Sequence, residues 1–140
     1  MYGLRQTLSL LVSGFIFLAS TARALEAETM QMKIGDKIYS VVLQDNSTTK
    51  VLQEILPMTV KMSEFNGNEK YYHLRETLPS KPERVEQINS GDVMLFGDDC
   101  LVVFYKDFKT TYSYTRIGCI ENPADLEQTL GRGSVAITFE

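Results

Sequence analysis

Apolar and polar side chains alternate along most of the chain after residue 29, and short polar turns interrupt the alternation. Successive side chains of a β-strand point to opposite faces, so a period of two predicts strands with one buried face. Residues 100–105 are also rich in β-branched and aromatic side chains, which pack well on a pleated surface. The predicted strands comprise residues 30–34, 37–43, 58–65, 70–76, 93–96, 100–105, 110–117 and 134–139.

Two other segments predict short helices. In residues 48–56 the apolar side chains recur at helical spacing, and residues 46–47 can cap the first turn by accepting backbone N–H bonds. The second helix is expected over residues 123–130, with Asn122 as its N-cap and Gly131 as its end.

The order of these elements predicts a mainly β fold. Turns rather than helical crossovers join most of the eight strands, which is typical of an antiparallel barrel or sandwich. Closing the sheet into a barrel would remove the exposed edges of its first and last strands. Residues 77–89 contain two prolines, several charged side chains and few apolar ones, which predicts one long loop.

The first 24 residues have the composition of a secretory leader. Arg5 lies in a short polar region, residues 8–19 are apolar without a charge, and residues 22–24 (Ala-Arg-Ala) are typical of a cleavage site. The apolar run has about 12 residues, whereas a bilayer span needs roughly 20. We therefore predict a signal peptide over residues 1–24 and one exported domain over residues 25–140, periplasmic or secreted and free of the membrane after cleavage. The alternative is an uncleaved amphipathic anchor.

Charge excludes one class of partner. The chain has 14 Lys and Arg against 18 Asp and Glu, and loss of Arg5 and Arg23 with the leader leaves 12 against 18, a net charge of −6. Non-specific nucleic-acid binding requires a basic surface, so a nucleic-acid role is not expected.

Two cysteines, Cys100 and Cys119, lie in the exported part. If the chain folds back near residues 108–109, its two ends meet, and an oxidising compartment would then favour a disulfide. The alternative is two small buried side chains on separate faces. A structural zinc site needs four ligands, so the two thiols alone do not predict a metal.

Three segments resemble the small bacterial cyclophilin-like domains: MKIGDKIYSVVLQDNSTTKVLQEILPMTVKMSEFNGNEKYYHL, SGDVMLFGDDCLVVFYKDF and YSYTRIGCIENPADLEQTLGRGSVAITFE. The resemblance covers nearly all of residues 30–140. The segments DNSTTKVLQEILP and SYTRIGCIENP are its most specific parts. It implies a closed eight-stranded antiparallel barrel with two short capping helices.

The resemblance does not imply an enzymatic activity. Prolyl isomerases of this fold use an arginine, a phenylalanine, a glutamine, a tryptophan and a histidine around an apolar groove. This chain has no tryptophan and one histidine, His73, and we find no counterpart of the arginine-containing and glutamine-Phe-Phe segments. We therefore assign no catalytic residue and no cofactor. A divergent isomerase, with Arg75 or Arg116 as its electrostatic group, is the alternative.

The predicted function is a binding module for a small molecule or an extended peptide. Its candidate ligand-binding residues are two on one strand face and three on the possible opposing wall: His73, Arg75, Tyr112, Tyr114 and Arg116. The alternative for the arginines is that they neutralise carboxylates of this acidic chain. A third hypothesis is an accessory partner of a redox or envelope system, built on the two cysteines. The sequence leaves the oligomeric state and the ligand open.

Overall fold

The computed structural model describes residues 26–140, together with Gly14. The predicted signal peptide therefore lies outside the described residues, apart from that one glycine. Within the described part, no helix is both long enough and apolar enough to cross a bilayer.

Short strands are the main regular structure of the described chain. The strands are β1 (Thr29–Ile34), β2 (Lys37–Leu43), β3 (Met58–Phe65), β4 (Glu69–His73), β5 (Glu83–Arg84), β6 (Gln87–Ile88), β7 (Asp92–Phe96), β8 (Cys100–Phe104), β9 (Phe108–Lys109), β10 (Ser113–Ile120) and β11 (Val135–Phe139). The helices are α1 (Ser47–Glu54) and α2 (Leu126–Leu130), and a 3-10 turn over Pro123–Asp125 precedes the second.

Eight of the strands close into a barrel. They follow the order β2, β1, β11, β3, β4, β8, β7, β10, and β10 then pairs with β2 to complete the ring. All of these pairings are antiparallel. The short β5 extends the sheet beside the start of β10, and β6 and β9 form a separate ribbon. The predicted closed eight-stranded barrel with two short helices is confirmed.

The barrel encloses the larger apolar cluster, to which nearly every strand of the ring contributes alternate side chains. Leu52 of α1 and both Leu126 and Leu130 of α2 are buried in the same cluster. The two helices lie at opposite ends of β4. Lys70, near the start of that strand, contacts the segment after α2, whereas Leu74, just past its end, lies beside Ile55 at the end of α1.

The two predicted helix caps have different outcomes. The Asn46 side chain accepts the Thr49 backbone N–H at 2.9 Å and caps α1, as expected. Asn122 occupies the predicted N-cap position before Pro123, but it has a left-handed backbone (φ 54°) and its side chain makes no capping bond. An N-cap residue needs an extended backbone for its side chain to reach the first turn.

The predicted loop over residues 77–89 contains more structure than its composition indicates. It includes β5 and β6, and Leu78, Val85 and Ile88 are buried. Two-residue strands are too short to show a period of two, so the alternation could not reveal them.

The predicted fold-back between the cysteines is wrong. β8 and β10 do not pair with each other, because β7 lies between them and pairs with both. Cys100 is opposite Phe96 and Cys119 is opposite Asp92, at the two ends of β7. Both thiols are free in the structure, one buried and one exposed.

Barrel closure depends on a close approach at Gly118. This residue is opposite Val93 in the β7 ladder and opposite Leu43 in the β2 ladder. A Cβ atom at position 118 would lie 2.3 Å from the Val42 carbonyl oxygen, a separation that side-chain atoms do not tolerate. A bulge between Arg116 and Gly118 precedes this contact and bends β10 towards β2.

We expect Gly118→Ala to lower the free energy of unfolding by at least about 2 kcal/mol, because the added methyl group must displace backbone atoms of β2. Chemical denaturation followed by far-UV circular dichroism measures the loss. Gly133→Ala is the matched control, since its Cβ would meet no atom within 4 Å. Equal unfolding free energies for the two variants would contradict the proposed closure contact.

Candidate functional site

An aromatic groove lies on the outer surface of the barrel, over β8. Along β4 and β8, Tyr72, Leu101 and Val103 belong to or pack against the enclosed cluster. The residues that alternate with them therefore face outwards. The groove has a volume of about 390 Å³. We call it the β8 groove, and its lining residues are Phe65, Glu69, Tyr71, His73, Phe96, Cys100, Val102, Tyr112 and Tyr114.

Strand order explains how these side chains meet. β8 lies between β4 and β7, so its outward residues Cys100 and Val102 form the floor. One wall comes from β3 and β4, and the other comes from β7, β10 and the residue just before β10. The first wall contains Phe65, Tyr71 and His73, and the second contains Phe96, Tyr112 and Tyr114.

Aromatic contacts, edge-to-face except for the tilted Phe96–Tyr114 pair, join the rings of each wall. In the first, the Phe65 and Tyr71 ring centroids are 6.3 Å apart at an interplanar angle of 86°, and Tyr71 and His73 are 5.9 Å apart. In the second, Phe96 lies 6.0 Å from Tyr112 and 5.6 Å from Tyr114. Such geometry matches the positive ring edge to the negative ring face and favours fixed rings.

The groove continues from a second apolar cluster on the same outer face. Met94, Phe104 and Tyr114 pack there against Val85 and Ile88 of the segment that crosses this face. That segment covers one part of the outer face, and the β8 groove is the part left open. A second depression adjoins the groove and shares four of its lining residues, Phe65, Glu69, Tyr112 and Tyr114.

Glu69 is the carboxylate of this groove. Burial, followed by repulsion from Glu64, raises the pKa of Glu69 to about 7. Among the described residues, no positively charged side chain lies within ion-pair distance of its carboxylate. A half-buried carboxylate without a compensating partner is a candidate binding group.

The neighbouring Lys70 does not compensate Glu69, because adjacent strand residues point to opposite faces. Lys70 is fully buried inside the barrel, where its ammonium donates to Glu64 Oε1 (3.0 Å) and to the carbonyls of Gly131 (2.8 Å) and Gly133 (2.7 Å). Its three donors are thus satisfied.

Glu64 behaves differently from Glu69. Burial pushes the pKa of Glu64 upwards, but hydrogen bonds from the Tyr105 hydroxyl, Lys70 and the Gly67 N–H outweigh burial and hold it below its ordinary value. The interior carboxylate of Glu64 is therefore stabilised in its ionised form by Lys70, whereas the groove carboxylate of Glu69 has no such counter-charge among the described residues.

His73 and Cys100 are cross-strand partners in the groove, an arrangement that resembles a nucleophile and its base. His73 Nδ1 lies 3.4 Å from Asp99 Oδ1, but no hydrogen bond joins the imidazole to the Cys100 sulfur. Burial, followed by Asp99 and Glu69, raises the pKa of the Cys100 thiol to about 11. The thiol is protonated at neutral pH and is a poor nucleophile. Among the described residues, no group of three His, Cys, Asp or Glu side chains is placed to hold a metal ion.

The structure brings three of the five predicted ligand-binding residues together, namely His73, Tyr112 and Tyr114. The prediction that Arg75 and Arg116 line the same site is wrong. Arg75 lines a depression at the α1 end of the barrel, and Arg116 Nε donates to Glu83 Oε1 at 2.8 Å. The alternative of an ion pair is therefore correct for Arg116. Neither arginine borders the groove.

Sequence reasoning missed four polar or aromatic lining residues: Phe65, Glu69, Tyr71 and Phe96. Tyr71 shares a strand face with His73 in the alternation and could have been added to the site. Phe65 and Glu69 flank the turn between β3 and β4 and are paired with each other across it. The groove role of Phe96 depends on the β7–β10 pairing, which has no local signal.

Comparisons with known proteins agree with this architecture. A family model described as the cyclophilin-like family matches residues 32–140, so the chain belongs to that family. The chain is similar to the solution structure of a hypothetical protein from Archaeoglobus fulgidus, with a TM-score of 0.55 and 17% sequence identity. That match covers 81% of this chain and 94% of the archaeal one, and at this identity it shows the fold alone. No curated protein matches the chain.

We expect Glu69→Gln to raise the melting temperature at pH 8 and to leave it nearly unchanged at pH 5. Because the folded-state pKa is about 7, the folded protein retains a proton that the unfolded chain releases near pH 4.5. Stability is therefore lost as pH rises between these values, and a neutral amide avoids the loss. Differential scanning fluorimetry at the two pH values measures the effect, with Glu121→Gln, an exposed carboxylate outside the groove, as the control. An equal shift at both pH values would contradict the assignment.

Proposed function

We propose that this cyclophilin-like protein is an exported binding module whose β8 groove holds a small molecule or an extended peptide. The observation that supports the proposal is the clustering of exposed apolar side chains. Phe65 (58% exposed), Phe96 (46%) and Tyr112 (63%) all border this groove, and the fourth large exposed hydrophobic of the described residues is Ile38 (60%), which does not.

Exposed aromatic rings that cluster at one place are not explained by burial in the hydrophobic core. Scattered apolar side chains are normal on protein surfaces, but a contiguous patch with a concave shape is typical of a binding site. The volume of about 390 Å³ lies within the range of small-molecule sites, roughly 300–1,000 Å³. Its walls are aromatic with a few polar groups, the usual composition of such sites.

The adjoining depression accommodates a longer ligand. It extends from the shared residues towards Phe108, Thr110 and Thr111, so an extended peptide could follow the outer face beyond the groove. Binding is favoured over a reaction because the groove thiol is protonated at neutral pH and both candidate arginines lie elsewhere.

Export is part of the proposal and is supported by the leader-like composition of residues 1–24. We infer that the domain acts in the periplasm or outside the cell as an acidic protein. A binding module in that location would meet ligands before they enter the cytoplasm.

We expect Phe96→Ala and Tyr112→Ala each to weaken ligand binding by about tenfold, because each removes one buried aromatic contact with the ligand. Ligands are first identified by ligand-observed NMR with aromatic fragments and proline-containing peptides, and affinities are then measured by titration.

Ile38→Ala is the matched control for these variants, since it removes a side chain of similar exposure from a strand outside the groove. The control should bind like the unmodified protein. Equal losses in all three variants, or a screen without any binder, would count against the groove as the site.

Expression in a Gram-negative host should yield a mature protein that begins at Leu25, since signal peptidase cleaves after small residues such as Ala24. Intact-mass spectrometry of the periplasmic fraction measures the N-terminus. A full-length chain recovered from the membrane fraction would support the anchor alternative instead.

A further inference from the structure

We infer that the β8 groove selects an organic cation, with a ligand ammonium group held against the Glu69 carboxylate between the two aromatic walls. The inference rests on the proposed function and deepens it by naming the class of ligand. A free amine and a lysine side chain of a peptide offer the same ammonium chemistry, and the experiment below distinguishes these two sources.

Glu69 is placed where its carboxylate can contact a ligand in the groove. It is the only carboxylate among the residues that line the groove, and it also lines the adjoining depression. No cationic side chain of the described residues lies within 4 Å of its oxygens. A half-buried carboxylate without a counter-charge is costly, and a ligand that supplies the missing charge relieves that cost.

The aromatic walls also favour a cation. Cations are attracted to the negative faces of aromatic rings, and cages of several rings recognise ammonium ligands such as choline and methyl-lysine. The β8 groove has five such rings, in addition to the imidazole of His73: Phe65, Tyr71, Phe96, Tyr112 and Tyr114. A ligand that covers these rings would displace water from the groove, and this would strengthen the attraction between the ammonium and Glu69.

The charged side chains near the groove leave the position beside Glu69 free for a ligand cation. The adjoining depression contains Arg84 and Lys109, together with Glu86. Neither cation forms an ion pair with Glu69, so neither occupies the ammonium position. An anionic ligand in the groove would face Glu69 directly and would be repelled.

Protonation of Glu69 should oppose cation binding. With a pKa of about 7, the carboxylate is mostly neutral at pH 6 and mostly ionised at pH 8, so an ammonium ligand should bind about tenfold more weakly at pH 6. The titratable or charged groups around Glu69 are Glu64, Tyr71, His73, Arg84, Glu86, Asp99, Cys100, Tyr105, Lys109, Tyr112 and Tyr114.

The test compares three probes that share a phenyl ring and differ in charge: phenethylamine, 2-phenylethanol and 3-phenylpropionate. Affinities are measured by NMR titration of the mature protein at pH 8. We expect phenethylamine to bind at least about tenfold more tightly than the alcohol and the carboxylate to bind most weakly. Glu69→Gln should reduce amine binding to the level of the alcohol, leave alcohol binding unchanged and abolish the pH dependence. Glu121→Gln is the matched control and should change none of these values.

The outcomes separate the two proposals. Equal binding of all three probes would overturn the inference and leave the proposed binding module intact. Failure of all three to bind would overturn both. A pH dependence that persists in Glu69→Gln would assign the effect to another group, such as His73, and would also overturn the inference. If acetyl-Ala-Lys-Ala-amide binds more tightly than phenethylamine while its Gln counterpart does not bind, the source is a peptide; the reverse order indicates a free amine.

Discussion

Closure of the barrel at β10 is the contact on which the rest of the structure depends. This strand pairs with β7 along one edge and with β2 along the other, so its backbone must satisfy two partners. The approach is closest at Gly118, where the Val42 carbonyl leaves no room for a side chain. Without this pairing the sheet would have two open edges, and the core that Leu52 and Leu126 share from the two helices would be exposed.

The bulge beside Gly118 connects closure to the first helix and to the groove. The Asn46 side-chain amide, whose oxygen caps α1, donates to the Arg116 carbonyl at 2.8 Å. Ile117 and Ile120 both enter the core although they are three residues apart, because the extra residue of the bulge resets the alternation. Ahead of the bulge, Tyr114 points outwards into the groove wall. One distortion therefore closes the barrel, anchors a helix and leaves the aromatic wall on the outer face.

Local patterns predicted the strands and the fold well, and they predicted the site only in part. The period of two depends on which side chains are buried, and this information lies within each segment. The identity of the neighbouring strands is not encoded within a segment: β8 pairs with β4 and β7, and β10 pairs with β7 and β2. This explains why Cys100 and Cys119 were expected to meet and do not. It also explains why the sequence does not indicate that Phe96 lines the same groove as His73 and Tyr112, since the place of Phe96 depends on the β7–β10 pairing.

Glu69 and Lys70 are adjacent in sequence but lie on opposite faces of β4. Lys70 points inwards, and its three hydrogen bonds tie β3, β4 and the segment after α2 together. Glu69 points outwards among aromatic rings, and no side chain of the described residues forms an ion pair with it. Phe96 (46% exposed) and Tyr112 (63%) lie outside the enclosed cluster. Packing of the enclosed core therefore does not account for a carboxylate and several rings at one place on the outer face, and this is why we propose a ligand there.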